Sequence, residues 1–217
     1  MVFDFDGTLA ELRLDFSEMK TRIAALAEKF PGPAPPQTSL PVLEWLSCLE
    51  DNIRSSDGVL AGDFRMQAFA LIADMEMESA RNGVLFPFTR PLLKKLLQNG
   101  IKTAIITRNC DAAVRLVFPD IENYCAAFLA RDHVPDPKPN PAHLIRALDA
   151  IHADSATAVM VGDHPLDIQT GKAAGIRTAG VSSGNMSKEE LRRSGADWVA
   201  DDCEDLLEIL IGTGLLL

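Results

Sequence analysis

The composition of this chain limits the kinds of partner it can have. The chain has 217 residues, of which 47% are hydrophobic, and a formal net charge of −10. That hydrophobic content is ordinary for a soluble globular protein, and the length allows one large core or a core plus a smaller domain. The negative charge argues against nucleic acid or an anionic membrane as the main partner, whereas a small anionic substrate could still bind at a locally positive site.

The sequence also predicts a compartment. No apolar run approaches the roughly 20 residues that a membrane span needs, and Asp4 and Asp6 stand where a signal peptide would have its basic and apolar regions. The four cysteines are widely scattered, which is typical of free thiols in a reducing compartment. We therefore expect a cytoplasmic protein with no membrane partner, and the sequence leaves monomer and homodimer both open.

The N-terminal stretch carries the first candidate site. The apolar run Met1-Val2-Phe3 predicts a short buried strand that ends at Asp4, with Asp6 and Gly7 close behind. Side chains alternate along a strand, so both acids lie on one side if extension continues. Acids at the carboxyl end of a buried strand lie where open α/β sheets bind their ligands. Because two carboxylates repel each other, the pattern indicates a cation or an extra proton, although a turn with two solvated acids also fits.

The region from residue 10 to residue 83 has a helical pattern and no strand signal. Apolar residues recur at helical spacing in three segments: 19–30, 43–53 and 64–75. The third segment follows predicted breaks at Asp57-Gly58 and Gly62-Asp63. Five prolines between residues 31 and 41 predict a stiff, polyproline-like connector. We predict an all-helical domain over residues 10–83, inserted into a core made of residues 1–9 and 84–217.

After residue 83 the chain alternates between strand and helix, which is the pattern of a parallel sheet with crossover helices. The predicted strands are 102–107, 126–130, 156–162, 176–181 and 198–199. The predicted helices are 89–98, 111–118, 141–151, 165–174, 188–193 and 206–211. In the helix that begins at Pro141, Leu144 and Ile145 are expected to face inward and His143 to lie on the surface. We predict an α/β fold, a Rossmann-like doubly wound parallel sheet with the helical insertion.

Three further signals follow later strands in chain order. Thr107 ends a buried strand, where a hydroxyl suits a phosphate oxygen, although it could also cap the next helix. Lys138 stands among alternating prolines that present its charge from a stiff backbone, although a solvated loop lysine also fits. Asp163 ends another strand, and Asp167 follows four positions later, where it could simply favour the helix dipole.

Together these residues resemble the four motifs of the haloacid dehalogenase-like (HAD) phosphohydrolases. The motifs are Asp4-Phe5-Asp6-Gly7-Thr8-Leu9, the strand-end Thr107, Lys138-Pro139, and Gly162-Asp163 with Asp167. They occur in the family's order and cover the whole predicted core. The helical insertion resembles the family's C1-type cap domain. Thr8 after Asp6-Gly7 is more similar to the family's phosphatases than to its mutases. The chain as a whole resembles the phosphoglycolate phosphatase-like members.

The resemblance implies a mechanism. It makes Asp4 the nucleophile that forms an aspartyl-phosphate, and Asp6 the general acid and base. It implies a Mg²⁺ cofactor held by Asp4, the backbone carbonyl of Asp6, and Asp163. Thr107 and Lys138 would bind the transferring phosphoryl group.

Four other residues receive expected roles. Asp167 is expected to brace Lys138 or a metal-bound water. Arg13 and Arg108 are candidate substrate-binding residues for a second anionic group, although both could be ordinary surface arginines. His164 is expected to neighbour a helix cap rather than to act as a ligand or base.

The predicted function is Mg²⁺-dependent hydrolysis of a small phosphorylated metabolite by a phosphatase. Phosphoglycolate or a sugar phosphate is suggested at the level of the family only. Two alternatives stay open: a phosphoryl-transferring mutase of the same family, and a non-catalytic phospho-acceptor or binding module. Asp6 counts against the second alternative, because such a module needs no general acid.

Overall fold

The computed structural model describes residues 1–32 and 38–215. Residues 33–37, in the middle of the predicted proline connector, and residues 216–217 lie outside the described residues. The chain divides into two compact units. The first contains Met1–Leu12 and Ala80–Leu217, and the second contains Arg13–Ser79.

The first unit is built on a six-stranded sheet. The strands of the chain are β1 (Val2–Phe3), β2 (Ala10–Glu11), β3 (Val84–Leu85), β4 (Ala104–Ile106), β5 (Ala127–Leu129), β6 (Val159–Gly162), β7 (Arg177–Val181) and β8 (Trp198–Ala200). The order in the sheet is β5-β4-β1-β6-β7-β8, and every pairing is parallel. The N-terminal strand therefore lies in the middle, and the chain winds outward from it in both directions. The predicted doubly wound α/β sheet is confirmed.

Helices occupy the connections between these strands and build the second unit. They are α1 (Phe16–Ala27), α2 (Val42–Arg54), α3 (Gly58–Ala80), α4 (Thr89–Gln98), α5 (Asp111–Val117), α6 (Pro141–Ala150), α7 (Pro165–Ala173), α8 (Lys188–Arg193) and α9 (Cys203–Gly212). Among the helices of the described residues, none combines the length and the apolar character that crossing a bilayer requires.

The middle of the sheet is buried on both faces. Val2 and Ala104, from neighbouring strands, share a buried cluster with Leu144 of α6. Phe3 and Ile105, the next residues along the same strands, point to the opposite face and are also buried. Because both faces are covered, these strands appear in the sequence as unbroken apolar runs rather than as an alternating pattern.

A short antiparallel ladder joins the two ends of the helical insertion. Ala10 pairs with Leu85, and Glu11 pairs with Val84. The prediction that residues 10–83 contain no strand is therefore wrong for β2. A strand of two residues is too short to produce an alternating pattern, so the sequence carried no signal for it.

The third helix is longer than its sequence pattern predicted. It runs without interruption from Gly58 to Ala80, so the predicted break at Gly62 is wrong. Asp57 begins the helix, because its Oδ1 accepts hydrogen bonds from the backbone N–H groups two and three residues later. A glycine inside a helix costs about 1 kcal/mol relative to alanine. Burial of Phe64 and Ile72 further along the helix contributes more than this.

The second unit has a core of its own. Met19 and Ile23 of α1 pack in one cluster with Leu46 of α2 and Phe64 of α3, and all of them are buried. The unit is therefore held together by side chains of its own helices. Its role as a cap domain stays a prediction.

A histidine predicted to lie on the surface is buried on α6. His143 is fully buried, and its Nε2 lies 3.1 Å from the carbonyl oxygen of Leu129 at the end of β5. Its Nδ1 accepts the backbone N–H of Lys138 at 3.2 Å, so Nε2 carries the proton and donates it to Leu129. Ile145, predicted to face inward, is exposed because it lies about 200° around the helix from His143.

We predict that this histidine makes stability depend on pH. Burial and, to a lesser degree, the charge of Lys138 together lower the pKa of His143 to about 4. In the unfolded chain the ring has a pKa of about 6.5, so below that pH the unfolded chain binds a proton that the folded chain does not. The free energy of unfolding should therefore fall as the pH drops from about 6.5 to about 4, by at most about 3 kcal/mol from this residue.

Urea unfolding of the wild type and of His143→Gln across this pH range tests the prediction. Glutamine can still donate to the carbonyl of Leu129 but does not titrate, so the other titrating groups cancel in the comparison. We expect the wild type to lose more stability than the variant between neutral pH and pH 4. Equal losses in the two proteins would contradict the assignment.

Candidate active site

Three neighbouring strands bring candidate residues to one edge of the sheet. Strands β4, β1 and β6 lie side by side and parallel, so their carboxyl ends meet at the same edge. Asp4 directly follows β1, Thr107 follows β4 and Asp163 follows β6. The backbone N–H of Asp4 donates to the carbonyl oxygen of Val161, which holds the first aspartate against the neighbouring strand.

Lys138 connects the first motif to the fourth. Its Nζ lies 2.6 Å from Oδ1 of Asp4 and 2.6 Å from Oδ1 of Asp167, and its side chain is only 3% exposed. Burial by itself lowers the pKa of a lysine, but the carboxylates of Asp167 and Asp4 outweigh burial and raise the pKa of Lys138. The ammonium is therefore held in its charged form. The other oxygen of Asp167 accepts the backbone N–H of His164 at 3.2 Å, so both of its oxygens have partners.

The carboxylates of Asp4, Asp163 and Asp167 form one compact group. One oxygen from each lies within 4.8 Å of the others. Burial and, to a lesser degree, the neighbouring charges of Asp4 and Asp167 together raise the pKa of Asp163 to about 9. Burial also raises the pKa of Asp4 to about 6, although Lys138 opposes this shift. Carboxyls that resist ionisation this strongly need either a proton or a cation, and an all-oxygen donor set of this size fits Mg²⁺.

Two glycines make room for the carboxylate of Asp163. Gly7 has a positive φ of 78°, and a Cβ at this position would lie 2.4 Å from Oδ2 of Asp163. A Cβ at Gly184 would lie 1.9 Å from the same oxygen. Ser183 donates its hydroxyl to the carbonyl oxygen of Gly7 at 2.7 Å. The loop after β7 therefore closes against the first motif.

Asp6 lies near the carboxylate group of Asp4, Asp163 and Asp167, but it has a hydrogen-bond partner of its own. Its Oδ1 accepts the backbone N–H of Leu12 at 2.8 Å. Burial raises the pKa of Asp6 to about 7, with the hydrogen bond from Leu12 lowering it and the charge of Asp4 raising it. A carboxyl group that titrates near neutral pH can both give and take a proton.

Thr107 and Arg108 follow β4 at the same edge. Thr107 is buried, and its Oγ1 accepts the backbone N–H of Asn109 at 3.2 Å. Cys110, not Thr107, stands at the N-cap of α5, so the threonine is not the cap of that helix. Arg108 donates from Nη1 to the backbone carbonyl of Lys138 at 3.0 Å. This arginine therefore contacts the loop that carries the lysine.

The remaining candidates are His164, at the start of α7, and Arg13, in the second unit. His164 was expected to neighbour a helix cap. It is itself the N-cap of α7, where its Nδ1 accepts the backbone N–H of Leu166 at 3.2 Å. Arg13 is exposed and belongs to the second unit. Its role in substrate binding stays a prediction.

Sequence reasoning missed three residues that support the site. Ser183 and Gly184 come just after a strand end, a position that could have suggested them, but no charged or motif residue marks them. His143 contacts the backbone of Lys138. A helix face drawn through His143, Leu144 and Ala147, all buried, would have placed the histidine inside.

Known proteins of matching length share this arrangement of the chain. The family model described as haloacid dehalogenase-like hydrolase matches residues 1–181. The chain is 28% identical to a phosphoglycolate phosphatase of Vibrio vulnificus, over 97% of this chain and 95% of the relative. It is also 28% identical, with the same coverage, to an N-acetylmuramic acid 6-phosphate phosphatase of Pseudomonas putida. The crystal structure of a hydrolase from Pseudomonas syringae has the same fold, with a TM-score of 0.64 at 21% identity over 97% of both chains.

The family match covers all four motifs, from the N-terminal aspartates to the strand after Asp167. Together with the phosphatase relatives, it supports an enzyme over the alternative of a non-catalytic phospho-acceptor module. The chain belongs to the haloacid dehalogenase-like hydrolase family, and it is an enzyme of the phosphatase kind.

Proposed function

We propose that this enzyme hydrolyses the phosphomonoester of a small metabolite, with Mg²⁺ and through an aspartyl-phosphate on Asp4. The observation that supports this most strongly is the buried contact of Lys138 with both Asp4 and Asp167, beside Asp163. The cluster combines a nucleophilic carboxylate, a fixed positive charge and an all-oxygen cation site. Phosphoryl transfer depends mainly on such positioning and charge stabilisation.

In the first step a carboxylate oxygen of Asp4 bonds to phosphorus, and the bond from phosphorus to the leaving oxygen breaks. Asp6 donates its proton to that oxygen, so the product leaves as an alcohol. A pKa of about 7 supports this role, because a good part of Asp6 is then protonated at neutral pH. Lys138 and Thr107 bind the phosphoryl oxygens during the transfer.

In the second step Asp6 takes a proton from a water molecule as the water attacks phosphorus. The bond between phosphorus and Asp4 breaks, which releases inorganic phosphate and restores the free carboxylate. Asp6 ends the cycle protonated, ready for the next substrate. One carboxyl group thus serves as acid and then as base, which requires a pKa near the working pH.

The cation would be held by Asp4, Asp163 and the backbone carbonyl of Asp6. Mg²⁺ there would neutralise the clustered carboxylates and part of the phosphoryl charge. The raised pKa of Asp163 supports this assignment, because the burial and the repulsion that favour a proton also favour a cation. Asp167 would act indirectly, by keeping Lys138 in place.

The relatives suggest the kind of substrate. The names of two relatives contain phosphoglycolate and N-acetylmuramic acid 6-phosphate. Both compounds are phosphomonoesters that also carry a carboxylate. We propose a substrate with such a second anionic group, bound by Arg108 or Arg13. Arg108 donates from Nη1 to the backbone carbonyl of Lys138, which places its positive charge beside the proposed phosphoryl site. The helical second unit would act as the cap that excludes water and selects the substrate.

Replacing the nucleophile tests the mechanism. We expect the wild type to release inorganic phosphate over many turnovers from at least one member of a panel containing phosphoglycolate, N-acetylmuramic acid 6-phosphate and sugar monophosphates. Asp4→Asn should lose a factor on the order of 1,000 or more, because the covalent step disappears. Asp149→Asn, an exposed aspartate on α6, is the matched control and should be unchanged.

Two other outcomes of this assay would contradict the proposed mechanism. Equal activity of the wild type and Asp4→Asn would show that Asp4 is not the nucleophile. Conversion of a sugar monophosphate to an isomer, without free phosphate, would favour the mutase alternative.

Metal removal tests the cofactor. EDTA should abolish turnover and added Mg²⁺ should restore it. Mg²⁺ should also raise the unfolding temperature of the wild type, because a ligand that binds only the folded state stabilises it. Asp163→Asn should gain less from Mg²⁺, since it lacks one ligand. Activity that survives EDTA, or an equal Mg²⁺ effect on both proteins, would argue against this site.

A steric change beside Asp163 should weaken metal binding even though no proposed ligand is replaced. In Gly184→Ala the new methyl group would overlap the carboxylate of Asp163, which must then move. We expect the Mg²⁺ concentration for half-maximal activity to rise about 10- to 100-fold, as for other supporting residues of metal sites. Gly212→Ala, where a Cβ meets no atom within 4 Å, is the control. The same Mg²⁺ requirement in both variants would contradict the packing argument.

A further inference from the structure

The backbone of Lys138 is held on both sides. Its N–H donates to Nδ1 of His143 at 3.2 Å, and its carbonyl accepts from Nη1 of Arg108 at 3.0 Å. A lysine side chain is long and flexible, so a fixed backbone is needed for its ammonium to meet two carboxylates at once. The histidine and the arginine therefore both contribute to the position of the lysine.

His143 also connects Lys138 to the strand beside Thr107. The carbonyl oxygen of Leu129 accepts two hydrogen bonds, one from the backbone N–H of Thr107 at 3.2 Å and one from Nε2 of His143 at 3.1 Å. A carbonyl oxygen has two lone pairs and can serve both donors. The carbonyl oxygen of Leu129 therefore contacts Thr107 of the second motif directly. It is connected to Lys138 of the third motif through the imidazole of His143.

We propose that His143 is a positioning residue, whose neutral imidazole sets the placement of Lys138 relative to Thr107 by bridging the carbonyl of Leu129 and the N–H of Lys138. This role rests on the proposed function, in which Lys138 and Thr107 bind the transferring phosphoryl group. It extends the site beyond the motif residues to a side chain that touches no reacting atom. Arg108 holds the backbone carbonyl of the same residue.

The bridge works only with a neutral ring. A protonated imidazole has two N–H donors and no acceptor, so it could not accept the N–H of Lys138. The charged or titratable groups around the ring are Lys138, Arg146 and His133. Burial, together with the charge of Lys138, lowers the pKa of His143 to about 4. The ring therefore keeps its accepting nitrogen throughout the neutral range.

Two substitutions separate the two hydrogen bonds. The Oδ1 of asparagine stands where Nδ1 of histidine stands and can accept from Lys138, but asparagine is too short to reach Leu129. The Nε2 of glutamine can donate to Leu129, but glutamine offers no acceptor at the Nδ1 position. His143→Asn and His143→Gln thus each keep one hydrogen bond and form a matched pair, and His143→Leu keeps neither.

We expect His143→Asn to retain a clearly higher kcat than His143→Gln or His143→Leu. The last two should lose about 10- to 100-fold in kcat with a smaller change in KM, because a displaced lysine binds the transition state less well. The asparagine and glutamine variants should have similar unfolding temperatures. A residue that only supported the fold would give similar kcat values in this matched pair, and that result would overturn the proposal.

Amide hydrogen exchange gives a measurement that needs no substrate. The N–H of Lys138 should exchange slowly in the wild type and in His143→Asn, and faster in the glutamine and leucine variants. Equal exchange in all four proteins would also overturn the proposal. Asp4→Asn, assayed alongside, distinguishes the failures. If it is inactive, equal kcat values in the matched pair overturn only the role of His143. If it is active, the proposed function fails, and the positioning role fails with it.

Discussion

The site depends on one buried ammonium group. Lys138 lies between Asp4 and Asp167 with almost no exposure to water, and Asp163 stands beside them. Removing charges from water is expensive, and mutual attraction offsets that cost only when the geometry satisfies every partner. Burial is the main reason why the pKa of Asp163 is so high, and the excess of negative over positive charge in the cluster adds to it. A divalent cation and an anionic phosphoryl group are complementary to this combination.

The arrangement of the sheet explains how residues far apart in the sequence reach this cluster. Asp4 comes from the central strand, Asp163 follows the strand on one side, and Thr107 follows the strand on the other. Lys138 lies in a loop between β5 and α6. Its backbone N–H donates to His143, and its backbone carbonyl accepts from Arg108. The parallel sheet thus places the acids at one edge, and the loop after β5 provides the positive charge of Lys138 that partly offsets theirs.

The fold was largely predictable because its signals are local. Buried parallel strands produce apolar runs, and each strand end near the site carries a polar residue such as Asp4 or Asp163. The features that escaped prediction lack such signals. The strand β2 has two residues and cannot show a period, and the helix through Gly62 continues because later core contacts outweigh a local penalty. His143 was misjudged because a histidine has no fixed preference for core or surface, and only its three-dimensional neighbours decide.

The ladder between β2 and β3 has a consequence for how the protein can evolve. The chain leaves the first unit after Leu12 and re-enters it at Ala80. Close to these two points, Glu11 pairs with Val84. The segment between the two paired residues can therefore be treated as an insertion whose ends the ladder already holds together. The entropy cost of such a loop rises only slowly with length, by about 0.6 kcal/mol for each doubling. Domains of very different size could therefore be exchanged at this point, giving new selectivity while the reacting groups stay on an unchanged scaffold.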